Sequence, residues 1–262
     1  MTVITLYVAW ENLNESRPIA QIQQQFKPSN EEPIKAVPQT NVLINEFNHI
    51  NSQITSFYNS NVSVKIWENN MRFNVSGTMC YEKPKCFRFK VRTLIGLEMD
   101  FGSNDNLFWY WSRRDVHPGL YYASYEDYHK TRLKTPFNPV FMRESLGLDQ
   151  IDVSDAEITE NEKCVIVTWQ KISATNQKVL YSMFLNKSTK RMDGIVISSV
   201  SGQILASCET TYENNLPKKI LYDWQEEQRS LILEFHGAVI NRSLPKTFWE
   251  LPSYHPKFDM GK

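Results

Sequence analysis

MRFNVSGTMCYEKPKCFRFKVRTLIGLEMDFGSNDNLFWYW, Met71 to Trp111, is the stretch from which the rest of the chain is read. Met71, Phe73 and Val75 share one parity, with Arg72 and Asn74 between them. Phe87, Phe89 and Val91 repeat the pattern against Arg88, Lys90 and Arg92; Leu97, Met99 and Phe101 repeat it against Glu98 and Asp100. A period of two predicts strands with one apolar and one wet face. Turn residues separate them: Glu82-Lys83-Pro84-Lys85, then Gly96, then Gly102 to Asn106. Gly102 and Asn104 are expected to take the positive φ of tight hairpins. The expectation is an antiparallel meander with an unusually aromatic apolar face.

On the N-terminal side, residues 11 to 38 are polar and carry Pro18, Pro28, Pro33, Pro38 and the run Gln23 to Gln25. They read as a linker or extended arm, residues 1–38, before one domain over residues 39–262. Thr40 or Asn41 is expected to cap a helix whose stripe is Leu43, Phe47, Ile50, Ile54 and Phe57. Such a stripe must cover an apolar surface, and the following sheet supplies one. On the C-terminal side, Asn138-Pro139 starts a short helix that Gly147 stops. Strands are then expected at Cys164 to Gln170, Val179 to Leu185, Met192 to Val200, Gln203 to Thr211, Ile220 to Trp224 and Leu231 to Phe235, with Thr159 to Lys163 as a turn. A proline-broken tail follows, with Leu244-Pro245, Trp249 and Leu251-Pro252. The total is about eleven strands and a few helices, a highly curved sheet or open barrel with a helix on its concave side.

Composition narrows the function. The 262 residues carry 29 basic and 29 acidic side chains, so no charge excess points to nucleic acid. The longest apolar run, Val3 to Trp10, is about half of the ~20 residues a spanning helix needs. There is no phosphate-cradling glycine loop, no GxSxG elbow, no HExxH helix and no zinc-spaced cysteine pair. No catalytic group, metal or cofactor is expected. His117 and His129 flank a tyrosine-rich loop with Asp115 and Glu126, the one place where a catalytic pair could form. Cys80 and Cys86 flank a hairpin turn on the wet face, and both a cross-strand disulfide and two free thiols fit that spacing.

The run Leu107 to Trp111 loads both faces of one strand with large side chains. It reads either as a central strand buried on both sides or as the lining of an apolar cavity suited to an acyl chain.

With Pro84-Lys85-Cys86-Phe87-Arg88, Gly102-Ser103-Asn104-Asp105, Phe108-Trp109-Tyr110-Trp111, Phe137-Asn138-Pro139, Leu146-Gly147-Leu148 and Trp249-Glu250-Leu251-Pro252 in view, the chain resembles the LolA/LolB-like superfamily of bacterial lipoprotein carriers and acceptors. It is most similar to the uncharacterised lipoproteins of that group, over roughly residues 40 to 255. The resemblance implies an unclosed antiparallel half-barrel with a helical lid over an apolar cavity. It also implies non-catalytic holding of acyl chains in the cell envelope. Those lipoproteins carry a lipid-attachment cysteine after a signal peptide, and this sequence shows neither; the protein is expected to be membrane-peripheral or lipid-anchored if such a segment preceded it, and soluble otherwise. The polar hairpin at Glu82 to Lys85 is unsuited to membrane insertion, and no position is matched to the carrier's arginine or the acceptor's leucine loop.

The expected function is therefore binding of a lipid acyl chain or lipoprotein in the periplasm or at the outer membrane. The expected lining is Phe73, Phe87, Phe89, Met99, Phe101, Trp109 and Trp111, with Phe47 and Ile50 from the lid. The alternative is a structural or protein-interaction module of the same fold whose cavity is filled by side chains. Thirteen per cent aromatic residues and only nine glycines suit a filled interior as well.

Overall fold

The computed structural model describes residues 38–68, 71–115, 117–131 and 139–262. The proposed arm at residues 1–37, its boundary with the domain, and Asn138 as a helix start lie outside them. The chain enters at helix α1 (Pro38–Ser52). A meander follows: β1 (Ser56–Glu68), β2 (Met71–Glu82), β3 (Cys86–Thr93), β4 (Gly96–Ser103), β5 (Leu107–Ser112) and β6 (Leu120–Ser124). Helix α2 (Pro139–Glu144) interrupts the sheet. Strands resume as β7 (Glu157–Glu160), β8 (Cys164–Ile172), β9 (Lys178–Asn186), β10 (Met192–Ser199), β11 (Ile204–Glu213), β12 (Leu216–Trp224) and β13 (Arg229–Phe235). Two short strands close the chain, β14 (Val239–Ile240) and β15 (Lys257–Asp259).

These strands form one sheet in the order β15-β6-β5-β4-β3-β2-β1-β13-β12-β11-β10-β9-β8-β7, with β14 added to β1. The ladders are antiparallel apart from β15, which runs parallel to β6. β15 and β7 are the two free ends, so the barrel is unclosed. The long β1 pairs with both β2 and β13 and joins the two halves of the sheet. The fold is mainly β, an open antiparallel half-barrel with helices on its concave side.

Parity decides which side each residue faces. Tyr81, Phe87 and Ser103 stand in one transverse row, and Met79, Phe89, Phe101 and Tyr110 in the next. Their concave side meets Leu43, Ile44 and Phe47 of α1 and Phe141 and Met142 of α2 in one continuous core. Most of that interior is solid: Phe47, Phe87, Phe89 and Phe141 expose nothing to solvent.

The convex side of β2 to β5 is covered too. The proline-broken tail is a strap. Residues Lys246–Trp249 form a 3-10 turn over β3 and β4, and β15 then lies along β6. Arg88 anchors the strap. It is held by Asp100 at 2.9 and 2.7 Å and donates to the Phe248 carbonyl at 2.5 Å. Tyr254 donates to the same Asp100 carboxylate at 2.9 Å. Trp111 stacks on Tyr254 at 4.6 Å, and Asn104 donates to the Trp249 carbonyl at 3.0 Å. Gly102 has no side chain because the Trp109 ring lies where a Cβ would go, 2.5 Å from Cζ2.

Several expectations are corrected. Ile54 and Phe57 do not continue the helical stripe; α1 ends at Ser52, and Phe57 lies in β1. Thr40 is inside α1, which begins with Pro38 at its first position, where the missing N–H costs nothing. Gly102 and Asn104 are absent from the positive-φ positions. Asn104 shapes its turn through its side chain, which accepts from the Asn106 and Leu107 N–H groups. Glu157–Glu160 is a strand where a turn was expected to begin; as an edge strand it pairs on one side only and shows little apolar alternation. Of the two states left open for Cys80 and Cys86, the structure has the free thiols, which corrects nothing. The register sets Cys80 opposite Arg88 and Cys86 opposite Glu82, which makes the cysteines diagonal neighbours. Burial pushes the Cys80 thiol up to about 12 and the Cys86 thiol up to about 11.

Candidate functional site

The expected lining residues divide by face. Phe87, Phe89 and Phe101 point into the concave side but are fully enclosed by the helices, and Met99 packs against the same core. Phe73 is buried near the far end of β2. Trp109 and Trp111 have the opposite parity and lie under the C-terminal strap, so they line no concave cavity; Trp109 stands opposite Gly102 and Trp111 opposite Asp100. Ile50 is only half-buried, because Asn51 takes the inward position beside it. Phe47 borders an open space.

That space is the smaller of two cavities meeting at Lys171 and Tyr181. It holds about 190 Å³ between α1, the segment after α2 and strands β8 and β9, with Phe47, Ile151, Trp169 and Met183 on its walls. The larger is a cleft of about 580 Å³. Its apolar floor is Phe141 of α2, Val179 and Tyr181 of β9, Ile197 of β10 and Leu205 of β11. Tyr125 and Tyr128, from the turn after β6, face it from the other side. Its rim is the β8–β9 turn, Ile172 to Gln177, together with Glu226 and Glu227.

Local sequence explains the floor. Val179, Tyr181 and Met183 share a parity on β9 and point inward. The register slips between Ile197 and Ser198 in the β10–β11 ladder. A bulge gives one extra residue, and Leu205 and Ala206 then both reach the concave core.

Charges in this region are tied down. Lys171 lies 3.7 Å from the Tyr181 ring centre and 3.6 Å from Glu144. Tyr181 donates its phenol to Glu144. Burial, and next the Glu144 charge, push that phenol well above its ordinary range, so it remains a neutral donor. Arg143 donates to Asp149 at 3.2 Å, and Tyr81 donates to the same carboxylate. Burial raises the Asp149 carboxyl despite the nearby Arg143 charge. Asn51 donates to the Gly147 and Asp149 carbonyls at 3.1 and 2.8 Å and accepts from the buried Arg191 at 2.9 Å. These bonds fasten α1 and the segment after α2 to each other and to the sheet. They hold structure.

Among the described residues of the histidine loop, His117 and His129 make no pair with Asp115 or Glu126. His117 and His129 are exposed, and Asp127 beside His129 is engaged by Lys130 at 2.6 Å and Ser124 at 2.8 Å. No group of three or more histidine, cysteine, aspartate or glutamate residues with metal-binding placement occurs among the described residues.

Sequence reasoning missed Val179, Ile197, Leu205, Tyr125 and Tyr128. The β9 alternation was visible, but which inward residues border an open volume is decided by how distant segments meet.

No family model matches the sequence. No curated protein matches it. Solved structures do match its fold. A LolA superfamily protein from Nitrosomonas europaea superposes with a TM-score of 0.51 at 12% identity, covering 82% of this chain and 98% of its own. A DUF1329 family protein from Desulfovibrio piger gives 0.58 at 9% identity over 83% and 98%. A putative outer membrane lipoprotein-sorting protein domain from Vibrio parahaemolyticus gives 0.54 at 7% identity over 80% and 97%. At these identities the likeness is one of fold, and the fold is LolA-like.

Proposed function

We propose, with this LolA-like fold as premise, that the protein is a non-catalytic binder of a lipid acyl chain or of a lipidated protein partner in the bacterial cell envelope. The observation that carries the reading is the 580 Å³ cleft floored by Phe141, Val179, Tyr181, Ile197 and Leu205. Its volume falls within the roughly 300–1,000 Å³ of small-molecule sites. The driving force is burial of chain methylenes, about 0.8 kcal/mol each. The rim groups Ser173, Thr175, Gln177 and Lys171 suit the polar end of such a chain. A neighbour named for outer membrane lipoprotein sorting supports the envelope assignment.

The test is uptake of a fluorescent fatty acid, together with organic extraction and mass spectrometry of the purified protein. Leu205→Trp puts an indole into the cleft from a half-buried position and should weaken uptake about tenfold or more, since several methylenes lose their site. Trp111→Ala, on the convex side, should leave uptake unchanged. A clean extract with no uptake by the unaltered protein would refute the reading. It would leave the interaction module with a filled interior, which the complete burial of Phe87 and Phe89 favours.

A further inference from the structure

The strap lies over β3, β4 and β6; the convex side of the other half of the sheet, β13 to β8, is dry as well. Trp67, Ser230, Asp223, Ser207 and Val196 stand in one transverse row there. Ile232, Leu221, Glu209, Gly194 and Phe184 stand in the next. Their parity is opposite to that of the concave core residues Leu231, Tyr222, Cys208 and Ile195. Trp67, Phe184, Val196, Leu221 and Ile232 are only 6–9% exposed and form a second apolar cluster, separate from the main core. The polar members of the first row are deeper still: Asp223 and Ser207 are 2% exposed and Ser230 is 1% exposed.

One face of a sheet cannot dry itself. Its side chains stand out from the strands, and their outer ends stay wet unless a second layer lies over them. Every member of this cluster belongs to the sheet itself. Arg72 lies over the Trp67 ring at 5.3 Å, but only at the margin of the patch. A second copy or a foreign partner would leave these side chains open in the single chain, where they are already dry. The cover therefore comes from the chain itself. The described residues begin at Pro38, and α1 starts beside the free edge strand β7, where Thr40 donates to Glu160 at 3.4 Å. From β7 to β11 is four strand spacings, about 19 Å. Residues 11–37 reach up to about 90 Å when extended, so what precedes them can round that edge and lie on the convex side. What precedes them is the longest apolar run of the chain, residues 3–10. Ile4, Leu6, Val8 and Trp10 share one parity in it, and Thr2 adds a hydroxyl at the same parity.

We propose that residues 3–10 fold back over the convex face of β13 to β10 and are its cover. Ile4, Leu6, Val8 and Trp10 meet Val196, Leu221 and Ile232, which removes apolar area from water on both partners. Backbone N–H groups and the Thr2 hydroxyl supply hydrogen bonds that the buried Asp223, Ser207 and Ser230 require. The two ends of the chain then cover the two halves of the convex side, the C-terminal strap over β3 and β4 and the N-terminal run over β13 to β10.

Amide hydrogen exchange read by mass spectrometry on the full chain tests this. In the unaltered protein, the amides of residues 3–10 should exchange about a hundredfold or more slowly than those of an unstructured chain. Val196→Thr with Ile232→Thr keeps β-branched residues in the strands but wets the face. That pair should loosen the protection of residues 3–10 about tenfold, while β3 and β4 under the strap keep theirs. From the other partner, Leu6→Ser with Val8→Ser should raise the binding of a dye for exposed apolar surface about threefold or more. The proposal is overturned if residues 3–10 of the unaltered protein exchange at the unstructured rate, if the threonine pair leaves their protection unchanged, or if the serine pair leaves dye binding unchanged. Sedimentation as a dimer with residues 3–10 unprotected would also overturn it, and would give the face to a second copy of the chain.

Discussion

Asp100→Ala should be among the most damaging single substitutions in the molecule. Asp100 is wholly buried and accepts from Arg88 Nε, Arg88 Nη2 and the Tyr254 hydroxyl. The Arg88 side chain is only 8% exposed, so truncation leaves a guanidinium buried without its counter-charge. Breaking a buried pair in this way costs about 3–5 kcal/mol, a large share of the roughly 5–15 kcal/mol that holds a domain folded. At about 2–4 °C per kcal/mol for a chain of this size, Tm should fall by roughly 10 °C. Tryptophan fluorescence during urea unfolding is a suitable assay, because Trp109, Trp111 and Trp249 surround the pair. Arg88→Met with Asp100→Leu removes both charges and keeps apolar bulk, and should recover much of the loss. A cost below about 1 kcal/mol for Asp100→Ala, or single effects that merely add, would refute the account of the strap as fastened by this ion pair.

Two further outcomes follow from the same geometry. Asn51→Ala strips Arg191 Nη1 and the Asp149 carbonyl of their partner and leaves the Gly147 carbonyl to Arg191 Nη2 alone, so it should cost about 2–3 kcal/mol and speed amide exchange across α1 while sparing β12 and β13. Glu98 is opposed by desolvation, but Arg114 and Thr93 outweigh it and hold the carboxyl below its ordinary range. A folded-state pKa below the unfolded one stabilises above the unfolded value, near 4.5, and that stability is lost as pH falls through the folded value. Glu98→Gln should therefore flatten the acid side of the stability–pH profile, measured as urea midpoints between about pH 6 and 3.

The meander was legible because period-two alternation is a local property. Phe87, Phe89 and Val91 against Arg88, Lys90 and Arg92 can make only a two-faced strand. The short helix and its glycine were legible for the same reason: Pro139 opens α2, and Gly147 just beyond it takes φ +62. Three weak strands escaped, the two-residue Val239–Ile240 among them, because an edge asks little of its sequence. Glu157–Glu160 and Lys257–Asp259 each pair on one side, and Lys257–Asp259 earns its place from Tyr121, on which Phe258 stacks at 5.0 Å.

The sequence by itself determined that strands dominate, roughly where they run, which residues share a face, and that a helix covers the sheet. It could not say which face is inside. Parity makes Trp109 and Trp111 companions of Arg88 and Asp100, and an aromatic pair beside a charged pair looks locally like a wet face. Only the strap made that face dry, by bringing Phe248, Trp249 and Tyr254 from the far end of the chain. The cleft was equally out of reach. An unfilled volume belongs to no residue; it is what remains between α2, the turn after β6 and strands β8 to β11. Alternation is written within a few neighbouring residues, whereas burial and vacancy depend on contacts between segments far apart in the chain.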